Sequence, residues 1–489
     1  MPTLTSPASA PGVAGEDGLS MPRILAAFSC ALDLTEGQPL GHAERCCAAG
    51  MNIGREMGLP EPELQDLYYA LLMKDLGCSA NSSKMYHLLG SDDISAKRDI
   101  KTTDWTRANW ESFEYARNHL RRGGTFLARV RALAEMGAGR VRTARSLVQL
   151  RCERGAGIAR RIGLSEAAAE AIYSLDEMWN GSGHPQGRRG EEIPRLSRIM
   201  SLAQSLDVFY VTRGAFAAEE MARRRRWRWF DPDVVRAFQS LVARGRFWEQ
   251  MDRARENVGG LSPRAASQPA GEAQIENICL AFADIVDAKS PYTYRHSAGV
   301  AGAAVAMAQT MGMDERDITL IRRAALLHDL GKLSVSNAIL EKPGQLDRAE
   351  WEIVKRHPYY TYEILRRVPQ FELLAEIAAS HHEKLDGSGY FRGYKAEQLP
   401  LAARILAVAD IYDALAARRP YRDAMPIEKV FRVMENETPA KIDGRCVEAL
   451  KHSHPRAEAF TSDLLRLSSS VTSHRQPSPA VEPAHAASR

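Results

Sequence analysis

The sequence predicts an all-α protein made of two helical lobes, and three observations predict it. Segments such as "IRRAALLHDLGK" and "LAARILAVADIYDALAA" place apolar residues at steps of three and four, while strand-like alternation is scarce. The phrase "ALLMKDLGC", from Ala70, returns as "ALLHDLGKL", from Ala325. Between the two copies, residues 257–273 are rich in Gly, Pro, Ala and Ser, the composition of a flexible linker.

Taken in order, residues 1–20 read as a disordered tail, being Pro- and Ser-rich with no basic segment followed by an apolar one, and so no signal peptide. Residues 21–256 form the first lobe, 257–273 the linker, 274–465 the second lobe and 466–489 a second disordered tail. The two lobes share a register. An offset of 254 takes Phe28 to Phe282, Asp33 to Asp287, His42 to His296 and Asp75 to Asp329. Further on, "NGSGHPQGRRGEEIPRLSRIMSLAQSLDVF", from Asn180, matches the stretch from Asp386 at an offset of 206. The first copy therefore carries 48 extra residues, which fall around 104–136 and read as added helices.

Charged residues are 26% of the chain and the net charge is +4, too weak to call for a nucleic-acid polymer as partner. The one strongly basic run, "ARRRRWRWF" from Ala222, reads as a solvated face. Seven Cys without a CxxC or an even framework read as reduced core thiols. No segment has the apolar length of a membrane span, and a cytoplasmic location is expected.

The second copy collects residues that bind metals. They are His296, the His328–Asp329 pair, His357, the His381–His382 pair and Asp410. Asp329 and Asp410 lie in apolar helical runs, where a carboxylate needs a partner or a cation. Imidazoles and carboxylates without thiolates suit Mn, Fe or Zn. Two close ions could bind a phosphate diester, activate a water between them and stabilise both attacking and leaving oxygens. Lys332, four residues after His328, can meet a phosphate oxygen as a point charge.

In their order, "HDLGK", "HP", "HHEKLDGSGY" and "ILAVADIYDAL…RPYR" resemble the HD-GYP family of the HD phosphohydrolases, over about residues 275–450. The resemblance implies HD-domain-like helical lobes. It implies two divalent ions, most often Fe or Mn, held by His328, Asp329, His357, His381, His382 and Asp410. It makes Lys332 and Asp329 catalytic, with Lys332, Arg419, Arg422 and His296 meeting substrate. The family's best-known activity is hydrolysis of cyclic di-GMP to pGpG or GMP, and that is the leading expectation. A different nucleotide, such as cyclic GMP-AMP, and a non-catalytic receptor are the alternatives.

Two departures stand out. The family's Gly-Tyr-Pro is Gly389-Tyr390-Phe391, so the loop, a candidate contact for a protein partner, lacks proline's stiffness. Tyr292 occupies the place of an acidic residue found in three-metal relatives, which leaves His296 as a peripheral ligand or substrate contact. In the first copy the ligand positions become Lys74, Arg151, Leu175, Asp176 and Gln204, and only Asp75 remains. That copy is expected to keep the scaffold without the chemistry, as a regulatory or dimerising lobe or as a passive remnant. A salt bridge between Lys74 and Asp75 is expected in place of a metal.

Overall fold

The computed structural model describes residues 19–89, 92–104, 114–115, 118–119, 145–254, 261–263, 269–293, 295–417 and 424–470. Among them there is no β-strand, only isolated bridges, and the fold is all-α as the periodicity predicts. The helices that frame the first copy are α1 (Met21–Thr35), α2 (His42–Glu56), α3 (Glu61–Leu72) and α4 (Arg195–Arg213). Those of the second are α5 (Glu272–Asp287), α6 (His296–Thr310), α7 (Glu315–Leu327), α8 (His357–Leu365), α9 (Glu372–Ala379), α10 (Leu401–Ala416) and α11 (Gly444–Ser470).

The duplication holds to the residue. Helices α2 and α6 begin and end at positions 254 apart, and Glu166–Tyr173 matches α9 at 206. The bridge Asn180–Arg189 matches Asp386–Lys395 at the same offset. A buried carboxylate repeats as well: Asp33 accepts from the Ala43 amide (3.0 Å) and Asp287 from the Ser297 amide (3.1 Å). Each holds the first turn of the helix that carries His42 or His296, where backbone amides lack helical partners.

The two copies meet through equivalent surfaces, as subunits do across a two-fold axis. Phe28 of α1 stacks on its own counterpart, Phe282 of α5, with ring centroids 4.4 Å apart. Helix α1 packs on the second copy's 3-10 turn Leu330–Ser334 and on α8, and α5 packs on the first copy's turn Cys78–Asn81. Polar links cross the same seam. Asp93 accepts from the Asn337 amide (2.7 Å), Arg367 pairs with Glu44 (3.3 Å), and Arg154 donates to the Asp284 carbonyl (3.0 Å). The buried apolar residues of both copies form one continuous cluster.

Several expectations meet the structure here. All seven cysteines are free and buried. In the basic run, Arg223 and Arg224 pair with Glu220, while buried Arg225 lies 3.9 Å over the Trp229 ring, so that run is only partly a solvated face. Near the linker, the Ala270 amide donates to the Leu19 carbonyl (2.6 Å). Helix α11 runs to Ser470, past the tail boundary expected at 466, and Leu464 packs into the core. The added helices of 104–136 fall almost wholly outside the described residues. No described helix is long and apolar enough to cross a membrane.

The Phe28–Phe282 stack makes a testable demand. Phe28→Ala should lower the urea-unfolding free energy by about 3–5 kcal/mol, and a loss below about 1 kcal/mol would show that the seam does not depend on it.

Candidate metal centre

The candidate ligand histidines sit at or next to helix ends, while Asp410 lies within α10. His296 opens α6, His328 closes α7, His357 opens α8, and His381 and His382 follow α9. Three of these histidines use the same local bond. Nδ1–H donates to the carbonyl three residues earlier: His328 to Ala325 (2.7 Å), His357 to Val354 (2.7 Å) and His381 to Ala378 (2.6 Å). Since a carbonyl only accepts, the proton is fixed on Nδ1 and each Nε2 presents a lone pair inward. A helix end makes this possible because its last carbonyls have no helical donor.

The inward nitrogens converge on Asp329. Its oxygens lie 3.4 Å from His328 Nε2, 3.4 Å from His357 Nε2, 3.7 Å from His381 Nε2 and 3.6 Å from His296 Nε2. Asp410, from α10, stands opposite, 3.2 Å from His296 Nε2 and 3.7 Å from His382 Nδ1. Lys332, on the 3-10 turn, reaches Asp329 at 2.5 Å and keeps a fifth of its side chain exposed at the mouth. The turn comes this close because of Gly331, where a Cβ would lie 1.9 Å from the His357 carbonyl oxygen. In the first copy Gly77 meets the Arg151 carbonyl in the same way.

The donor set fits divalent cations. Three overlapping trios have ligand atoms mutually within 4.8 Å: His357–His381–His382, His328–Asp329–His381 and His296–His328–Asp410. His328 Nε2 and Asp329 Oδ1 are buried with no hydrogen-bond partner. Polar atoms left so inside a protein are costly unless something else binds them. Burial lowers the pKa of His328, drives those of His357 and His381 well below the ordinary imidazole range, and takes His382 to about 4, so their lone pairs stay free. Burial would push the Asp329 carboxyl up, but its contacts with His328, Lys332, His357 and His296 hold it well below the carboxylate range. Burial also works against a charge on His296; its contacts with Asp410 and Asp413 outweigh that and raise it to about 10. Surplus carboxylate charge of this kind is what a divalent cation neutralises.

The structure brings together all six central residues that the sequence singled out, with Lys332 beside them. It also draws in His296, which the sequence reading had put at the edge. Arg419 and Arg422 lie outside the described residues. One residue escaped the sequence reading. Asp413 takes the other face of His296, Oδ2 to Nδ1 at 2.7 Å, and approaches over Gly299, where a Cβ would fall 1.9 Å from its Oδ1. The signal was present, since at the offset of 206 Asp413 matches Asp207, which holds His42 at 2.5 Å.

In the first copy the same pocket is filled with cations. Lys74 pairs with Asp75 as expected, Lys101 bridges Glu36 (2.8 Å) and Asp75 (3.8 Å), and Arg151 pairs with Asp176. Arg45 joins His42 on Asp207 at 2.6 Å. With Gln204 in place of Asp410 and Lys74 nearby, burial carries His42 down to about 4, the reverse of His296. Two trios of suitable spacing remain, His42–Cys46–Asp207 and Glu36–Asp75–Cys78. Their carboxylates already have cationic partners, and burial raises the thiols Cys46 and Cys78 well above the ordinary range.

Beside the centre, Glu383 straps the Gly389-Tyr390-Phe391 loop by accepting from the amides of Arg392 (2.7 Å), Gly393 (3.2 Å) and Tyr394 (3.0 Å). Phe391 has φ of +102°, closed to proline, whose ring holds φ near about −65°. Hydrogen bonds thus hold this loop in place of a proline ring.

A helical lobe with a His–Asp pair at its centre defines a class, and comparison with known proteins agrees. The HD domain family model matches residues 132–234 and 281–446, and the chain belongs to this family. Among particular relatives, it is 44% identical over 430 residues to the 3′3′-cGAMP-specific phosphodiesterase 3 of Vibrio cholerae, covering 88% of this chain and 93% of that one. It is 40% identical over 182 residues to a cyclic di-GMP phosphodiesterase of Thermotoga maritima, covering 36% and 50% of the two chains. The crystal structure of the cyclic GMP-AMP specific phosphodiesterase V-cGAP3 of V. cholerae superposes with a TM-score of 0.63 at 39% identity, over 90% of this chain and 98% of that one.

The contrast between the copies sets the test. Asp410→Ala should lower the number of divalent ions retained per chain after dialysis, read by elemental analysis. Lys74→Ala should leave that number unchanged while costing about 3–5 kcal/mol of stability, because it strips a partner from buried Asp75. Equal metal loss in both variants would contradict the assignment of the metals to the second copy.

Proposed function

We propose that this chain is a metal-dependent phosphodiesterase that opens 3′3′-cyclic GMP-AMP, with its chemistry confined to the second copy. The observation that carries the reading is the buried cluster around Asp329, with unbonded donor atoms aimed inward and Lys332 at its mouth. The choice of substrate is supported by the relative named for cyclic GMP-AMP, which matches along nearly its whole length, where the relative named for cyclic di-GMP matches over half. This reverses the order reached from sequence, which led with cyclic di-GMP.

In this reading His328, Asp329, His357, His381, His382, Asp410 and His296 hold two divalent ions, with Fe or Mn suited to the nitrogen and oxygen donors. Such ions supply an activated water and neutralise phosphate charge. The chain does the rest. Lys332 binds a non-bridging phosphate oxygen, where negative charge grows in the transition state. Asp413 orients His296, and the three bonds from Nδ1 to carbonyl keep His328, His357 and His381 in one tautomer. Arg419 and Arg422 are proposed to meet the phosphates as guanidinium forks.

The experiment is turnover of 3′3′-cyclic GMP-AMP and of cyclic di-GMP by protein loaded with Mn or Fe(II), beside His328→Ala and Lys332→Ala. The expected result is a kcat/KM for cyclic GMP-AMP higher by at least about tenfold, no turnover in His328→Ala, and a kcat loss of about 100-fold in Lys332→Ala. Faster turnover of cyclic di-GMP would return the reading to that substrate. A metal-loaded protein that binds either nucleotide without cleaving it would make this chain a receptor.

A further inference from the structure

Outside the ligand cluster, the second copy exposes an aromatic corner that the proposed chemistry does not use. Trp351 lies on the short helix Arg348–Val354, none of whose residues is buried. The core does not hold this helix. It is fixed by a reciprocal cap between Asp347 and Glu350 and by Lys342 on Glu350 at 2.5 Å. Trp351 is 44% exposed all the same. A single exposed ring is ordinary by itself, so what distinguishes Trp351 is its setting beside the ligand histidines.

The ring is positioned relative to the metal centre. Trp351 meets Tyr390 edge to face, with centroids 6.0 Å apart and planes at 73°. Tyr390 in turn lies 4.6 Å from the His382 ring and 6.5 Å from that of His357. Two aromatic surfaces at nearly a right angle therefore begin at the ligand histidines and lead outward. Tyr390 is held from behind by the strap of Glu383 on the amides that follow it.

The first copy is the internal control. At the two offsets the counterparts of Trp351 are Lys97 and Arg145, and the counterpart of Tyr390 is His184. Lys97 is buried and donates to the Cys78 carbonyl at 2.8 Å. At these counterpart positions the first copy thus does not repeat the Trp–Tyr pair.

We infer that Trp351, backed by Tyr390, is a stacking face for one purine of the substrate and sets affinity for a cyclic dinucleotide. This rests on the function proposed above. A base joined through its ribose to a phosphate at the cluster extends outward past His382, along the Tyr390 ring and onto Trp351. Stacking requires only a π-face, so the corner selects for a flat base and its affinity is largely indifferent to base identity. It therefore grips guanine or adenine alike, and the choice between nucleotides is made elsewhere.

The experiment measures kcat and KM for 3′3′-cyclic GMP-AMP in metal-loaded wild type, Trp351→Ala and Trp351→Phe, with metal content and melting temperature of each. Trp351→Ala is expected to raise KM about tenfold or more with kcat within about twofold, and Trp351→Phe to restore most of the affinity. Metal content should be the same in all three. An unchanged KM in Trp351→Ala, in a series whose wild type turns over, would overturn the stacking face and leave the phosphodiesterase standing. A fall in kcat together with metal loss in both variants would make Trp351 a structural support and overturn it too. A wild type that cleaves no cyclic dinucleotide would remove both.

Discussion

A carboxylate buried among imidazoles, without a cation of its own sufficient to balance the site, is the constraint on which the second copy is arranged. Asp329 is ionised inside the core, with one oxygen unbonded. Isolated, it would be costly there. The imidazoles cannot answer it by protonating, since burial keeps four of them neutral. Their own protons are already committed to backbone carbonyls on the far side of each ring in three cases. The remaining deficit of positive charge points to divalent cations, and the helix ends, the Gly331 contact and Asp413 all serve to hold that deficit open.

The first copy solves the same electrostatic problem with protein cations. Lys74, Lys101 and Arg151 enter a pocket of the same shape and pair with Asp75, Glu36 and Asp176. Such pairs need good geometry merely to break even against burial. Their effect is to make the pocket self-sufficient, with no demand left for an ion. The fold survives the exchange because its helices are set by apolar packing, which the ligand positions hardly touch. The first copy also packs directly against the second. Helix α1 lies against the turn that carries Lys332 and against α8, which opens with His357.

Around this centre the loop after α9 shows a second exchange. In the first copy the loop keeps Pro185, whereas the second has Phe391 at a φ that excludes proline. A buried carboxylate, Glu177 or Glu383, straps both loops by accepting their amides. The strap is the shared device, and it frees position 391 to carry a ring that packs against Tyr359 and Tyr362.

The sequence by itself determined the helical class, the duplication, the six central residues that the structure gathers around Asp329, and the replacement of five of them in the first copy. These are local properties: periodicity follows from the pitch of a helix, and pairs such as His328–Asp329 and His381–His382 are adjacent in the chain. Tertiary structure alone decided what distance in sequence conceals. His296 belongs with Asp410, 114 positions away, and Asp413 with His296, because α6 and α10 cross with Gly299 between them. Phe28 meets its own counterpart only because the copies pack about a pseudo-two-fold axis. Trp351 is not singled out by the sequence motifs. Its place beside the metal centre depends on the Tyr390 loop folding back over His382, a contact made by burial and by hydrogen bonds that no local pattern encodes.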